Sequence, residues 1–208
     1  MLASETFSLG AVILAAGSSS RMGRSKMLLP WGETTILGHL IRVWTKLPAA
    51  QVAMVHAAAD TLVETELNRL EFPVQNRIAN PESKRGMFSS VQCAANWPGW
   101  NTTLTHWAII LGDQPHLRPA TLSALANLAA QHRESICQPG RHGRPRHPIL
   151  LPREVFKALE NSTAATLKEF LLALTAKVKL IEVDDPGLEL DLDHPADYEK
   201  ALKLAARG

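Results

Sequence analysis

A short apolar segment near the start of the chain leads into a loop whose residue types suit anion binding. Residues 12–26 read VILAAGSSSRMGRSK, so small residues precede Arg21, Arg24 and Lys26. Glycine and serine let backbone N–H groups approach an anion, and long basic side chains can neutralise it. The spacing fits neither a Walker A loop nor the G-x-G-x-x-G dinucleotide fingerprint. The loop therefore predicts a phosphate-binding site of another type, with a turn carrying solvated cations as the alternative.

Acidic residues that could hold a metal ion occur in two distant segments. Asp113 follows an apolar segment, and Asp191 and Asp193 lie near the C-terminus. In phosphoryl transfer Mg²⁺ prefers one or two carboxylates together with phosphate oxygens. On an extended strand, Asp191 and Asp193 would point to the same face. Asp113 could instead cap a turn before Pro115, and either C-terminal aspartate could cap a helix.

Apolar segments alternate with amphipathic segments along the chain. Strand patterns occur at 11–15, 51–55, 74–80, 106–111, 135–138 and 178–183, and helix patterns at 34–46, 60–70, 86–95, 117–132, 157–173 and 195–206. We expect a loop at 139–148 and a segment at 188–198 that closes the sheet before the last helix. The alternation predicts an α/β fold with three layers, α/β/α, around a mostly parallel, Rossmann-like sheet. The loops at 16–25 and 112–117 should then meet at the carboxyl edge of the sheet, where ligands bind.

The composition narrows the class of protein. The 208 residues are 46% hydrophobic and 20% charged, which is typical of a globular chain with a sizeable core. A net charge of +2 argues against a nucleic-acid-binding protein. Cys93 and Cys137 lack metal-ligand spacing, and neither a signal peptide nor a long apolar run is present. We therefore expect one domain over residues 1–208, a cytoplasmic location, and no nucleic-acid or membrane partner.

Four segments together resemble the MobA-like nucleotidyltransferases of the molybdenum cofactor. They are the loop at 14–26, GDQPHL at 112–117, RHPILLPREVF at 146–156 and VDDPGLELDLDHPADY at 183–198. The resemblance extends over about residues 12–198 and is strongest to the cytidylyltransferase branch. It implies a sheet of the nucleotide-diphospho-sugar transferase (GT-A-like) type. It also implies Mg²⁺-dependent transfer of a nucleotide from CTP to molybdopterin, with pyrophosphate released; the Ala15–Ala16–Gly17 start favours CTP over GTP.

The resemblance assigns a role to each matching residue. Arg21, Lys26 and Asp113 would be catalytic. Asp113 would hold Mg²⁺ with Asp193, or with Asp191 as the second choice. The nucleotide would contact Leu14, Ala15, Ala16, Gly17, Ser18, Ser19, Lys26, Asn80, Gly86 and Ser90. Gln114, Arg146 and His147 would contact the second substrate.

The basic segment around Arg146 leaves the second substrate open. It holds the densest positive charge of the chain, which suits a pterin with a terminal phosphate, although a solvated basic loop is the alternative. Arg146 stands where the family usually has glycine, so the second substrate could differ from that of the family. The other functions to consider are a sugar- or polyol-phosphate nucleotidylyltransferase and a non-enzymatic delivery protein for the cofactor. Whether the chain is a cytidylyltransferase or a delivery protein, the cofactor would pass to a molybdoenzyme, such as a xanthine dehydrogenase-type protein.

Overall fold

The computed structural model describes residues 6–17, 22, 25–47, 49–174 and 176–206, which form a β-sheet with helices on both faces. The strands are β1 (Leu9–Leu14), β2 (Pro30–Trp31), β3 (Thr34–Thr35), β4 (Ala49–Ala57), β5 (Arg77–Asn80), β6 (His106–Leu111), β7 (Ile136–Arg141), β8 (Arg144–Pro145), β9 (Ile149–Pro152) and β10 (Val178–Glu182). The helices are α1 (Ile36–Lys46), α2 (Thr61–Arg69), α3 (Met87–Ala95), α4 (Pro119–Gln131), α5 (Arg153–Ala158), α6 (Leu167–Ala173) and α7 (Pro195–Ala205).

The main sheet is mostly parallel. Its strand order is β10-β7-β9-β6-β1-β4-β5, and β8 pairs with β7 as a short hairpin. β1 pairs in parallel with both β4 and β6, while β9 runs antiparallel between β6 and β7. The strands β1, β4, β6 and β7 therefore all end at one edge of the sheet. That edge is where a ligand site is expected in such folds.

Two apolar cores lie on the two faces of the sheet. One face packs against residues of α1, α2, α4 and α7, and the other against residues of α3, α5 and α6. The helices begin where the sequence offers a cap: Asp60 Oδ1 accepts a hydrogen bond from Val63 N at 3.1 Å, as the capping pattern predicts. The expected three-layer α/β/α architecture is confirmed. None of the helices within the described residues has the length and apolar character needed to cross a bilayer.

The chain departs from the sequence-based expectation at the insertion of β9. Residues 139–148 are not one loop, because β7 continues to Arg141 and β8 turns back against it. The following Ile149–Pro152 forms a buried strand that the sequence reading missed. A run of four apolar residues carries no periodicity of its own, and only its antiparallel place between β6 and β7 makes it a strand.

Two further expectations were wrong. Residues 188–198 do not close the sheet, because a turn of 3-10 helix covers Pro186–Glu189 and Asp193 N then donates to Asp191 O at 2.9 Å. The helix expected at 157–173 is two helices, α5 and α6. The break has a local cause: Thr166 Oγ1 accepts from Glu169 N at 3.1 Å and starts α6 as a new cap.

His106 marks the opposite edge of the sheet, at the start of β6. The side chain is buried, with Thr105 Oγ1 at 2.9 Å from Nδ1 and Arg133 O at 3.0 Å from Nε2. Burial lowers the pKa of His106 from 6.5 to about 4. The Arg133 carbonyl opposes this shift, and the charges of Arg133 and Arg153 add to it. His106 is therefore neutral in the folded protein at physiological pH.

Acid should destabilise the fold through His106. The unfolded chain takes up a proton at His106 near pH 6.5, whereas the folded chain does so only at about 4, so the unfolded state binds more protons between these values. The free energy of unfolding should fall by about 3 kcal/mol as the pH drops from 6.5 to about 4. Above pH 6.5 this contribution to stability is fully present. His106→Gln, which keeps a side-chain N–H donor but cannot take up a proton in this range, should remove this part of the pH dependence. Urea unfolding of both proteins at about pH 7 and about pH 4.5 tests it; equal slopes would contradict the assignment.

Candidate active site

A large cleft opens at the edge of the sheet where β1, β4 and β6 end. Its volume is about 1130 Å³. Eight of the residues predicted to act at the site line it: Leu14, Ala15, Ala16, Gly17, Lys26, Gly86, Ser90 and Asp113. The sequence placed these residues in three separate segments. The parallel topology brings the three segments to one opening.

The ends of β1 and β6 meet so closely that a glycine is required between them. Gly112 N donates to Leu14 O at 3.0 Å, and a Cβ on Gly112 would lie 2.6 Å from that same oxygen. A side chain at this position would therefore push the two strand ends apart. This close approach explains why the GDQPHL segment begins with glycine. It also places Asp113 directly beside the end of β1.

The backbone after β1 is open to the cleft. Ala15 is buried and its N–H donates to Val55 O at 2.7 Å, which fastens the loop to β4. Ala16 is half-buried and Gly17 is exposed, and a Cβ on Gly17 would meet nothing within 4 Å. Small side chains therefore leave main-chain groups accessible to a ligand here. The predicted contacts of Ser18, Ser19 and Arg21 lie outside the described residues.

Lys26 and Asp113 form the polar centre of the cleft. Lys26 Nζ donates to Asp113 Oδ2 at 3.0 Å and lies 3.7 Å from Asp193 Oδ1. One ammonium group therefore contacts a carboxylate from each of the two acidic segments. Asp113 Oδ1 is buried and has no hydrogen-bond partner in the part of the chain that the structure describes. An unsatisfied buried carboxylate oxygen is unfavourable unless a cation or donor completes it.

Asp191 and Asp193 are not equivalent. Because residues 191–193 bend instead of forming a strand, Asp193 faces Lys26, while Asp191 Oδ1 accepts from Gln114 Nε2 at 2.9 Å. Leu192 N donates to Asp113 O at 3.2 Å and fastens this segment to the end of β6. Asp113 and Asp193 could hold a divalent cation together with ligand oxygens. Within the described residues, no group of three His, Cys, Asp or Glu side chains is arranged to hold a metal alone.

The start of α3 forms another wall of the cleft. Gly86 has a φ of 95°, which favours glycine, and turns the chain into the helix. Ser90 lines the cleft, but Asn80 does not, because it is fully buried beneath it. Asn80 Nδ2 donates to Ser89 Oγ and Ser90 Oγ, both at 2.9 Å. Asn80 is thus placed to position Ser90, whereas the resemblance implied that it touches the nucleotide.

Removing the Asn80 side chain should weaken the fold as well as the site. In Asn80→Ala two buried hydroxyls lose their donor, and Glu82 N loses its acceptor at 2.8 Å. We expect the free energy of unfolding to fall by about 2 kcal/mol. Urea unfolding measures this loss. Ser90→Ala is the matched variant: it should alter nucleotide affinity with a smaller change in stability, and equal stability losses would contradict the positioning role.

The predicted second-substrate residues lie beyond Asp113 along the same edge. Gln114 is buried, and its Oε1 has no partner among the described residues. His147 is half-buried, and desolvation lowers its pKa, opposed by the Ile109 backbone and by the negative charges of Asp113 and Asp191. His147 is therefore neutral near pH 7. Arg146 is not a free cation, because its Nη2 donates to Glu189 Oε1 at 3.0 Å.

Sequence reasoning missed one side of the cleft. Ala57, Ala59, Asp60, Thr61 and Leu62 also line it, and all follow or adjoin the end of β4. The available signal was the strand order: a strand next to β1 must end at the same edge. Sequence reasoning also missed Glu189, whose partner Arg146 is 43 positions away.

The comparisons with known proteins agree with this architecture. Residues 11–178 match the family described as the MobA-like NTP transferase domain. Over 191 residues the chain is 27% identical to the molybdenum cofactor cytidylyltransferase of Escherichia coli (strain K12), covering 91% of this chain and 93% of that protein.

Solved structures show the same fold. Rv0371c of Mycobacterium tuberculosis H37Rv is 25% identical with a TM-score of 0.76, covering 95% of this chain and 98% of that one. Its complex with manganese gives 24% identity and a TM-score of 0.70, covering 95% and 99%. A nucleotidyl transferase from Methanothermobacter thermautotroptrophicus is 18% identical with a TM-score of 0.78, covering 96% and 98%.

Fold and matches together define an α/β nucleotidyltransferase with a sheet of the nucleotide-sugar transferase type. Since the family match covers most of the chain, the chain belongs to the MobA-like NTP transferase domain family. The resemblance stated from the sequence is thereby confirmed. The family match ends at residue 178, so Asp191 and Asp193 lie beyond it.

Proposed function

We propose that this nucleotidyltransferase transfers CMP from CTP to the phosphate of molybdopterin and releases pyrophosphate. The observation that carries the proposal is the contact of Lys26 Nζ with Asp113 Oδ2, at 3.0 Å, beside the open backbone of Ala16 and Gly17. A cation and a carboxylate at the end of a buried sheet suit a triphosphate. The E. coli relative, named a molybdenum cofactor cytidylyltransferase, supports the choice of substrates.

The nucleotide would lie across the cleft from β1 to α3. Ala15, Ala16 and Gly17 line the cleft with small residues, and a Cβ on Gly17 would meet nothing within 4 Å among the described residues, so this stretch would admit a flat base or sugar. Ser90 Oγ, held by Asn80, would offer a hydroxyl on the opposite wall. Phosphates would extend towards Lys26, with Ser18, Ser19 and Arg21 as the predicted partners from the loop.

A divalent cation fits Asp113 and Asp193. Mg²⁺ takes only one or two protein carboxylates when substrate phosphates complete its shell, and Asp113 Oδ1 is a buried oxygen with no hydrogen-bond partner among the residues that the structure describes. The manganese complex of the M. tuberculosis protein supports a divalent cation in this fold. When bound, Mg²⁺ would neutralise phosphate charge. Asp191 remains the second choice because Gln114 already engages it.

The chemistry would be one in-line displacement. An oxygen of the acceptor phosphate attacks the α-phosphorus, the bond from that phosphorus to the bridging oxygen breaks, and pyrophosphate leaves with both bonding electrons. No side chain needs to form a covalent bond. The Lys26 ammonium would stabilise the negative charge that grows on the α-phosphoryl and the leaving group, with Arg21 as its predicted helper. Gln114, Arg146 and neutral His147 would orient the acceptor.

A pyrophosphate-release assay tests the proposal. The protein would be incubated with Mg²⁺, molybdopterin and each of CTP, GTP, ATP and UTP in turn. We expect release with CTP well above GTP, and a cytidine dinucleotide form of the cofactor as product. Release only with a sugar or polyol phosphate as acceptor would establish the first alternative. Metal-independent binding of the cofactor without release would favour a delivery protein.

The proposal also covers the domain organisation, the cellular location and the partner of the enzyme. All 208 residues would form a single MobA-like domain. The protein would act in the cytoplasm, and its product would be passed to a molybdoenzyme, for example of the xanthine dehydrogenase type. Copurification with such an enzyme would test the last step.

A further inference from the structure

Glu189 lies between two arginines next to the candidate active site. Its Oε1 accepts from Arg146 Nη2 at 3.0 Å, and its Oε2 lies 3.6 Å from Arg141 Nε and 4.0 Å from His142 Nε2. Asp184 also lies 3.6 Å from Arg141 Nη2, but its side chain is 97% exposed. Glu189 is thus the carboxylate that both guanidinium groups share. Part of the positive charge that this cluster shows in the sequence is therefore balanced in the fold by Glu189.

We propose that Arg141 and Arg146 form a binding site for a phosphomonoester, and that Glu189 occupies this site as an internal competitor which the phosphate displaces. The assignment of that phosphomonoester to the second substrate rests on the proposed function. Glu189 would then be a specificity-determining residue, since any anion that enters must replace its carboxylate.

The two arginines have more donor capacity than Glu189 satisfies. Arg141 Nε and Arg146 Nε are both buried, and neither has a hydrogen-bond partner within the residues described. A phosphomonoester dianion carries two negative charges and three strong acceptor oxygens, whereas a carboxylate carries one charge and two oxygens. Two guanidinium groups match the dianion in charge and in number of donors. Exchange of Glu189 for phosphate would therefore satisfy donors that are unsatisfied now.

The exchange needs only a side-chain movement. Arg146 N donates to Pro139 O at 2.8 Å, which fixes the backbone of the arginine. The turn that carries Glu189 is fixed as well, because Gly187 N donates to Asp185 Oδ1 at 2.9 Å. The Glu189 side chain is 37% exposed, so rotation about its own bonds can move the carboxylate into solvent.

The arginine pair lies at the same edge of the sheet as the polar centre of the cleft. β7 runs parallel to β6, so Arg141 at its end lies at the same edge of the sheet as Asp113. Glu189 precedes Asp191 by two residues, and Asp191 accepts from Gln114, the neighbour of Asp113. A phosphate on the arginine pair would thus lie at the same edge of the sheet as the Lys26–Asp113 centre, on the side of β7.

Removing the charge of Glu189 should strengthen phosphate binding. When a ligand binds only the open form, its apparent dissociation constant is the intrinsic value divided by the open fraction. Glu189→Gln keeps the shape of the side chain and removes the competitor, so we expect the dissociation constant of inorganic phosphate to fall about tenfold. The KM for the phosphate-bearing acceptor should fall as well, with the KM for CTP unchanged.

The test is titration calorimetry with inorganic phosphate on four proteins: wild type, Glu189→Gln, Asp184→Asn and the double variant Glu189→Gln with Arg146→Gln. Asp184→Asn removes the same charge beside the same arginine from an exposed side chain, and should change affinity less than about twofold. The double variant should lose the gain, which separates this site from any phosphate bound at the first loop. Glu189→Asp, whose shorter chain weakens the ion pair, should fall between wild type and Glu189→Gln and serves if the latter does not fold.

Two results would overturn the inference. An unchanged affinity in Glu189→Gln would show that the carboxylate does not compete. An equal gain in Asp184→Asn, or a gain that survives loss of Arg146, would assign the effect to general charge or to another site. The proposed function is tested separately, because phosphate binding requires no turnover: absence of nucleotide transfer leaves this result standing, and CMP transfer with unaltered phosphate affinity refutes this inference alone.

Discussion

Asp113→Asn should abolish divalent-metal-dependent turnover while leaving the fold intact. The substitution keeps the shape of a side chain whose Oδ1 lacks a partner among the described residues and whose Oδ2 accepts from Lys26. It removes the negative charge that Mg²⁺ needs, and an amide is a poor substitute for a carboxylate ligand. We expect kcat to fall about 10³-fold, which corresponds to about 4 kcal/mol of transition-state stabilisation. The measurement is pyrophosphate release as a function of Mg²⁺ concentration.

The same substitution at the other aspartates tests which of them hold the metal ion with Asp113. Asp193→Asn should have the second-largest effect, because Asp193 also faces Lys26 at 3.7 Å. Asp191→Asn should lose less, because that carboxylate accepts from Gln114 instead. Asp184→Asn, at an exposed side chain, is the matched control and should retain full activity. Normal Mg²⁺ dependence in Asp113→Asn would refute the metal assignment, and a larger loss in Asp191→Asn than in Asp193→Asn would reverse the choice between them.

The parts of the fold that could be predicted from the sequence are those in which the local pattern and the tertiary environment agree. β1 and β6 are mostly apolar runs, each followed within three residues by a glycine, and both are buried between neighbouring strands. The capping residue Asp60 is likewise a local signal with a local effect. These elements determine the parallel topology. The convergence of Lys26 and Asp113 follows from that topology.

The parts that could not be predicted depend on contacts between distant segments. Ile149–Pro152 is a strand only because it lies between β6 and β7. The C-terminal aspartates were expected on one face of a strand, but Leu192 N binds Asp113 O and the chain bends around that contact. The burial of a polar side chain also leaves no local signal in a single sequence. For this reason Asn80 could be picked out as a site residue but not placed beneath the cleft.

The charge pattern of the sequence was the poorest guide to the electrostatics of the folded site. The segment around Arg146 contains arginines and histidines but no acid, so it looks like a basic surface. In the fold, Glu189 from a segment 43 positions away supplies the counter-charge to Arg146. The charge of a loop therefore says little about its field until the neighbouring segments are known.

Lys26→Ala should lower kcat about 10²-fold, by analogy with the loss of one donor that stabilises a transition state. Lys26 is the described cation closest to both carboxylates, at 3.0 Å from Asp113 and 3.7 Å from Asp193. Its contribution is large because the site is partly desolvated, where a charge pair interacts more strongly than in bulk water. Pyrophosphate release under saturating substrates measures the change. Lys46→Ala, at an exposed lysine of α1, is the control and should retain wild-type kcat.

A second measurement separates the two roles that Lys26 could have. If the lysine only neutralises Asp113 and Asp193 in the absence of a metal ion, Lys26→Ala should bind Mn²⁺ more tightly and keep its kcat at saturating metal. If it stabilises charge on the reacting phosphates, the loss of kcat should persist at every metal concentration, because a cation at the carboxylates cannot replace a donor on the phosphoryl oxygens. We expect the second pattern. A kcat within threefold of wild type at saturating metal would remove Lys26 from the chemical step and leave it as a partner of the two aspartates.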